Sequence, residues 1–172
     1  WWSALEFDAA PKIIARLPFV ERADHPAALP VFVLSRVAPD AMATEGEGEW
    51  VNGIADGTAI MADPDHVHRI FLNLFRNALQ AMTMVGGEIR LAVRAGTSGG
   101  FVRIEVEDAG PGLPAKAQEN LFQPFTSSTR REGTGLGLTT ARELARAHGG
   151  DVVLVRTGPD GTVFAVTLPV AE

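Results

Sequence analysis

The sequence predicts a two-layer α/β sandwich of the α+β kind, a mixed and mostly antiparallel sheet covered by helices on one face, and three observations predict it. Two long segments carry apolar residues at the three-and-four spacing of a helix. Several shorter ones alternate or cluster apolar and β-branched residues as strands do. The two kinds interleave in the order strands, helix, hairpin, loop, helix, hairpin. With 172 residues, 46% of them hydrophobic, the chain can build one core and has little room for a second.

Each element has its own signal. Residues 1–30 read as an irregular connector, because Pro11, Pro18, Pro26 and Pro30 break any long helix, with a short helix or linker over residues 3–17. Residues 31–172 read as the folded domain. Val31 to Val37 is apolar and β-branched and predicts a strand, which Pro39 ends. Residues 39–58, with Glu45, Glu47 and Glu49 before Trp50, read as a solvated acidic loop or hairpin, a surface insertion. Residues 58–62 predict a short strand. Asp63 then caps a helix with Pro64 in its first turn. Val67, Ile70, Phe71, Leu74, Ala78 and Ala81 form its buried face, and Gly86-Gly87 stops it.

Residues 88–95 and 101–107 predict an antiparallel pair joined by Thr97-Ser98-Gly99-Gly100. A loop-rich stretch with a short helix near residues 115–121 leads to a second long helix from about Gly135 to His148. Gly149-Gly150 ends that helix before two closing strands, residues 151–156 and 162–168.

Composition excludes several classes of function. No cysteine is present, so disulfides and thiolate metal sites are ruled out. No run of about 18 apolar residues occurs, and the start Trp1-Trp2-Ser3-Ala4 carries no basic leader, so a soluble chain is expected. A net charge of -6 argues against general affinity for nucleic acid or acidic lipid. A polyanionic ligand would need helix N-termini, backbone amides or a bound cation.

Four short patterns carry the chemistry. On the first long helix Asn73 and Asn77 lie one turn apart on a stripe with Ile70 and Gln80. Asparagine is a poor interior helix residue, so two of them suggest a use for amide oxygens, as ligands of a hard cation or as hydrogen-bond partners of neighbouring loops. Asp108-Ala109-Gly110-Pro111-Gly112 directly follows a strand, and its carboxylate could accept a hydrogen bond from the exocyclic amine of a base. Phe122 and Phe125 flank Gln123-Pro124 ahead of the small-polar and basic residues 126–131, which fits a lid docked by its aromatic rings, or plain core. Gly133, Gly135 and Gly137 alternate with Thr134 and Leu136 at the start of the second long helix. That leaves backbone N–H groups free to face an anion, although the pattern is neither a Walker loop nor the dinucleotide fingerprint.

Taken in order, the four patterns resemble the histidine-kinase catalytic domain of the GHKL ATPase superfamily, over about residues 59–169. Residues 73–78 look like its N box, 108–112 its G1 box, 122–125 its F box and Gly133 to Leu138 its G2 box. The resemblance implies the Bergerat-type ATP-binding fold, with ATP and Mg²⁺ as cofactors. It implies that Asn77 holds Mg²⁺ against the phosphates, that Asp108 receives the adenine amine with Thr162 beside it, and that Gly133, Gly135 and Gly137 cradle phosphate. Gly110, Gly112, Phe122, Phe125, Thr134, Leu136 and Leu138 complete the nucleotide site, and Arg130 or Arg131 stands where the family often has a lysine near the γ-phosphate. In related gyrase and mismatch-repair ATPases the position of Asn73 is a glutamate that activates water; an amide cannot take that proton, which favours phosphoryl transfer over hydrolysis.

The acceptor is expected elsewhere. None of His25, His66, His68 and His148 stands in the family's phosphoacceptor setting. The implied partners are a histidine-bearing dimerisation domain of the same protein and a downstream response regulator. No nucleic acid or direct membrane contact is expected, and the isolated domain should be monomeric. The implied location is cytoplasmic, alone or as the inner part of a membrane-bound sensor. Two other readings are a nucleotide-binding pseudokinase or protein-interaction module, and a serine-kinase anti-sigma factor of the same superfamily.

Overall fold

The computed structural model of the chain describes residues 31–33, 48–124 and 135–171, the first three by backbone alone. The connector over residues 1–30, the strand beyond Val33, the acidic residues before Gly48, and the residues from Phe125 to Thr134 lie outside the described residues, so Phe125, Arg130, Arg131, Gly133 and Thr134 receive no structural account.

Strand β1 (Val31–Val33) pairs antiparallel with β3 (Ala59–Met61), and an isolated bridge from Ile60 to Val170 ties this pair to the chain's end. The main sheet has five strands, β2 (Glu49–Gly53), β4 (Arg90–Ser98), β5 (Phe101–Asp108), β6 (Asp151–Gly158) and β7 (Gly161–Pro169), in the order β2-β4-β5-β7-β6. Only β2 and β4 run parallel; the other three pairings are antiparallel. The mixed, mostly antiparallel sheet is therefore the one the sequence predicts. Both predicted hairpins form, and register pairs Ser98 with Phe101 and Gly158 with Gly161 across their turns.

Helix α1 (Pro64–Met84) begins as its sequence directs. The Asp63 carboxylate accepts from the backbone N–H groups of Asp65 at 2.8 Å and His66 at 3.3 Å, and Pro64 occupies a first-turn position that needs no donor. Its buried residues are Val67, Ile70, Phe71, Leu74, Phe75, Ala78 and Met82. Phe75 and Met82 widen the expected stripe, and Ala81 is only half-buried. A short α2 (Ala115–Glu119) follows the second strand pair, and α3 (Gly137–Ala147) lies against α1 with Ala141 and Ala145 buried. Small residues there let the two helix backbones approach. Leu91, Val93, Val102, Ile104, Val106, Val152, Phe164, Val166 and Leu168 line the sheet's side of the same core. These residues recur at every second position, as side chains on one face of a sheet must, while Ala92, Val163 and Ala165 on the other face are buried as well.

Two expectations need correction. Residues 49–53 are not part of a solvated loop or hairpin: they form β2, an edge strand parallel to β4. Trp50 is half-buried with its ring 6.2 Å from that of Phe75 in an edge-on contact, and Glu49 pairs with Arg90 at 3.1 Å, so an aromatic anchor outweighs the acidic composition. The second long helix starts at Gly137 rather than Gly135, because Gly135 has φ 68°, a left-handed conformation that cannot belong to an α-helix. Among the described residues no helix is long and apolar enough to cross a membrane.

Candidate functional site

The end of α1, the end of β5 and the β6–β7 hairpin converge around Asp108. This carboxyl terminates β5, is 4% exposed, and faces the helices because Val102, Ile104 and Val106 set that phase along the strand. Its Oδ1 accepts from the Gly110 N–H at 2.9 Å and from the Thr162 N–H at 3.2 Å. Burial pushes its pKa up to about 6, against the opposing effect of those two amides. Both amides spend their donors on Oδ1, so Oδ2 is the oxygen left to meet a ligand N–H.

The turn after β5 is fixed by close approach. A Cβ on Gly110 would sit 2.9 Å from Asp108 Oδ1 and 3.4 Å from Ala81 Cβ, so the turn lies directly on α1. At Gly112, φ is 79° and a Cβ would come within 2.3 Å of the Gly158 carbonyl oxygen, a position only glycine can fill. One residue later, Leu113 N–H donates to Thr157 Oγ1 at 2.7 Å, and Thr157 Oγ1 lies 3.1 Å from Thr162 Oγ1. Thr162 is buried and stands opposite Asp108 in the β5–β7 register.

Asn73 and Asn77 are half-buried on the face of α1 that meets the start of α3; Gln80 is exposed. A Cβ on Gly137 would lie 3.5 Å from Asn73 Oδ1, so the first turn of α3 rests on that amide. The N-cap of α3 is Leu136, whose side chain cannot accept a bond, so among the described residues its first-turn N–H groups and the positive end of the helix dipole can face an anion. Leu136 and Gly135 are half-buried just before it, and Leu138 packs on the core.

Phe122 is partly buried against the edge of the core and also joins α3. Its carbonyl accepts from Thr139 Oγ1 at 3.2 Å, and the Arg142 guanidinium lies 4.4 Å from its ring centre. Asp151 orients that guanidinium with bonds of 2.8 and 3.2 Å, and Arg142 in turn holds the Asp151 carboxyl well below the usual carboxylate range. Thus Asp108, Gly110, Leu113, Thr157 and Thr162 are linked at the end of β5 with Gly112 packed on Gly158, and separately Asn73 meets Gly137 at the start of α3, with Asn77 one turn along α1 from Asn73 and Phe122 on the flank of α3.

Sequence reasoning missed Thr157, Arg142 and Asp151, for which nothing in the local pattern signals a role. It also missed a histidine pair: His66 Nδ1 lies 3.1 Å from His148 Nε2, joining the first turn of α1 to the end of α3. Burial, then the neighbouring His66, lowers the His148 pKa. His66 does not cap α1, which Asp63 does. Its His-x-His spacing with His68 gave no hint of the long-range partner.

Residues 62–172 match the family model described as histidine kinase-, DNA gyrase B-, and HSP90-like ATPase. The chain belongs to this ATPase family. Among curated relatives of this ATPase domain, the sensory histidine kinase/phosphatase NtrB of Klebsiella oxytoca is 44% identical over 118 residues, covering 64% of this chain and 33% of that protein. The sensor histidine kinase ZraS of Escherichia coli (strain K12) is 38% identical over 111 residues, 64% of this chain and 23% of that one. The domain thus spans a third or less of the length of these relatives. Its fold is also that of the catalytic domain of histidine kinase ThkA, with a TM-score of 0.70 and 25% identity over 81% of this chain and 93% of that one. A mycobacterial sensor histidine kinase, MprB, superposes with a TM-score of 0.70 at 21% identity over 83% of this chain and 99% of that one. The molecule is an ATP-binding domain of the histidine kinase type.

Proposed function

We propose that this domain binds ATP with Mg²⁺ and transfers the γ-phosphate to a histidine on a separate dimerisation domain, within a two-component sensor kinase that hands phosphate to a response regulator. The observation that carries this reading is the buried Asp108 carboxylate. Two backbone amides fix one of its oxygens and leave the other for an exocyclic amine.

On this reading the chain's residues divide the work. Asp108 selects the base, and Thr162 completes that edge. Gly110 and Gly112 hold the turn against α1 and the Gly158 carbonyl so that a planar ring can enter. The first turn of α3, with Gly133, Gly135 and Gly137, faces the phosphates, and Thr134, Leu136 and Leu138 set the course of that segment. Phe122 and Phe125 belong to the nucleotide site, and Arg130 would neutralise the γ-phosphate.

The donor set fits a hard cation held mainly through its ligand. Asn77 offers a neutral amide oxygen on the face that Asn73 shares with α3, and no group of three or more His, Cys, Asp or Glu able to hold a metal occurs among the described residues. Mg²⁺ bound to the phosphates would neutralise their charge. Asn73 is an amide where hydrolytic relatives place a base, which supports transfer over hydrolysis.

The phosphoryl acceptor is supplied from outside the domain. His66 and His148 are hydrogen-bonded to each other, a contact that ties the start of α1 to the end of α3. The domain acts as a monomer on a dimeric partner, in the cytoplasm, with residues 1–30 leading from that partner.

The deciding experiment incubates the domain with γ-labelled ATP and Mg²⁺, alone and with a separately produced histidine-bearing dimerisation domain. Label should appear on the added domain only. Label on a serine substrate, or on nothing while ATP is bound, would overturn the reading.

A further inference from the structure

The Asp108 carboxylate can distinguish adenine from guanine by itself at one position only. Adenine presents an amine donor at the six-position and an acceptor at N1; guanine presents a carbonyl acceptor and an N1–H donor. A carboxylate favours the first pattern at the six-position. The neighbouring N1 must be read by another group, and a hydroxyl is a poor reader unless something fixes which way its proton points, since it can donate or accept.

The structure supplies that constraint through a residue outside all four sequence patterns. Leu113 N–H can only donate, and it donates to Thr157 Oγ1 at 2.7 Å. Thr157 Oγ1 is 3.1 Å from Thr162 Oγ1. A chain in which each hydroxyl accepts on one side and donates on the other polarises cooperatively, so the favoured sense runs from Leu113 N–H to Thr157 to Thr162. In that sense the Thr162 oxygen accepts from Thr157, and its own proton is presented beside Asp108, whose Oδ1 the Thr162 N–H already holds. The reverse sense would load two donors onto Thr157 Oγ1 and strand its proton, for which the described residues record no further acceptor. The start of the chain is held tightly, because Gly112 is packed against the Gly158 carbonyl next to Thr157.

We infer that Thr157 is a positioning residue that sets base specificity: by donating to Thr162 it makes the Thr162 hydroxyl a donor, matched to N1 of adenine and mismatched to N1–H of guanine. This rests on the proposed placement of the base at Asp108. With Thr157 unable to donate, the Thr162 hydroxyl turns freely and accepts from guanine as readily as it donates to adenine. The preference for adenine then falls by about the tenfold that one correctly formed hydrogen bond is worth.

The test is calorimetric titration of non-hydrolysable ATP and GTP analogues, with Mg²⁺, into the unaltered domain, Thr157→Val and Thr157→Ser. Valine keeps the shape and removes the hydroxyl; serine restores it. The expected result is an ATP-to-GTP affinity ratio about tenfold lower in Thr157→Val and restored in Thr157→Ser. A merely structural role would weaken both nucleotides by the same factor, and an unchanged ratio in Thr157→Val overturns the inference while leaving ATP binding intact. Failure of the unaltered domain to bind ATP overturns the underlying placement as well. If Thr157→Val does not fold, a Thr157→Ser ratio unlike that of the unaltered domain overturns the relay, since serine keeps every bond in it.

Discussion

At Asp108 recognition and stability pull in opposite directions. Its native pKa of about 6 lies above the ordinary value of 3.8, so the folded state holds the proton more tightly than the unfolded chain. Stability from this group is fully present below pH 4 and is lost as pH rises through 6, a cost at neutral pH of at most about 3 kcal/mol. Asp108→Asn keeps an oxygen for the two amide donors and removes the buried charge. The unliganded variant should therefore melt several degrees higher than the parent at pH 7.5, with the gap closing toward pH 4, while ATP-analogue binding by calorimetry is lost. In the unaltered domain, binding should weaken about tenfold for each pH unit below 6, because protonated Asp108 offers a donor to an amine. A flat affinity between pH 5 and 7.5 would remove Asp108 from the base contact. Asp108 itself was legible from sequence because it follows a strand and precedes two glycines. Thr157 was not: a threonine near a hairpin turn is common, and only the pairing of β6 with β7 brings it to Thr162.

At the scale of elements, the start of α1 was the most legible feature. Asp63 followed by Pro64 announces α1, and the cap forms as expected. Asp63→Ala should cost about 1 kcal/mol in urea unfolding, with no change in ATP-to-GTP preference. The edge strand β2 was hidden, since a short strand beside acidic residues has no periodicity to read and its identity depends on β4 and on the Trp50–Phe75 contact. Trp50→Ala should therefore cost about 2 kcal/mol, less than a fully buried tryptophan would. The junction of Phe122 with α3 is likewise tertiary. Arg142→Met keeps the length and loses the cation over the ring and both bonds to Asp151. It should raise KM for ATP several-fold in the trans-phosphorylation assay while kcat changes less. Equal effects on both would argue against an anchoring role. Asp151, whose carboxyl is held low by Arg142, adds stability that is present above about pH 4 and is lost as pH falls below its native pKa, so Arg142→Met should also shrink the acid dependence of melting.

For the molecule as a whole, composition and element order were enough to give the two-layer architecture, because a single covered sheet face imposes period-two strands and one-sided helices. What they could not give is which strands become neighbours beyond the two hairpins. The order β2-β4-β5-β7-β6 places two sequence-local hairpins, β4–β5 and β6–β7, side by side, and the seam between them is the β5–β7 ladder. Asp108 and Thr162 face each other at one end of that ladder. The base site therefore belongs to neither hairpin. Each half can close over a short loop, whereas the seam must close over all the chain between them and forms later in folding. A ligand seated at Asp108 and Thr162 acts as a rivet across the last joint to assemble. Its signature should be kinetic: saturating ATP analogue should slow amide hydrogen exchange along the whole of β7, including residues such as Val166 and Leu168 far along the strand from the site, by suppressing the opening in which the two hairpins part.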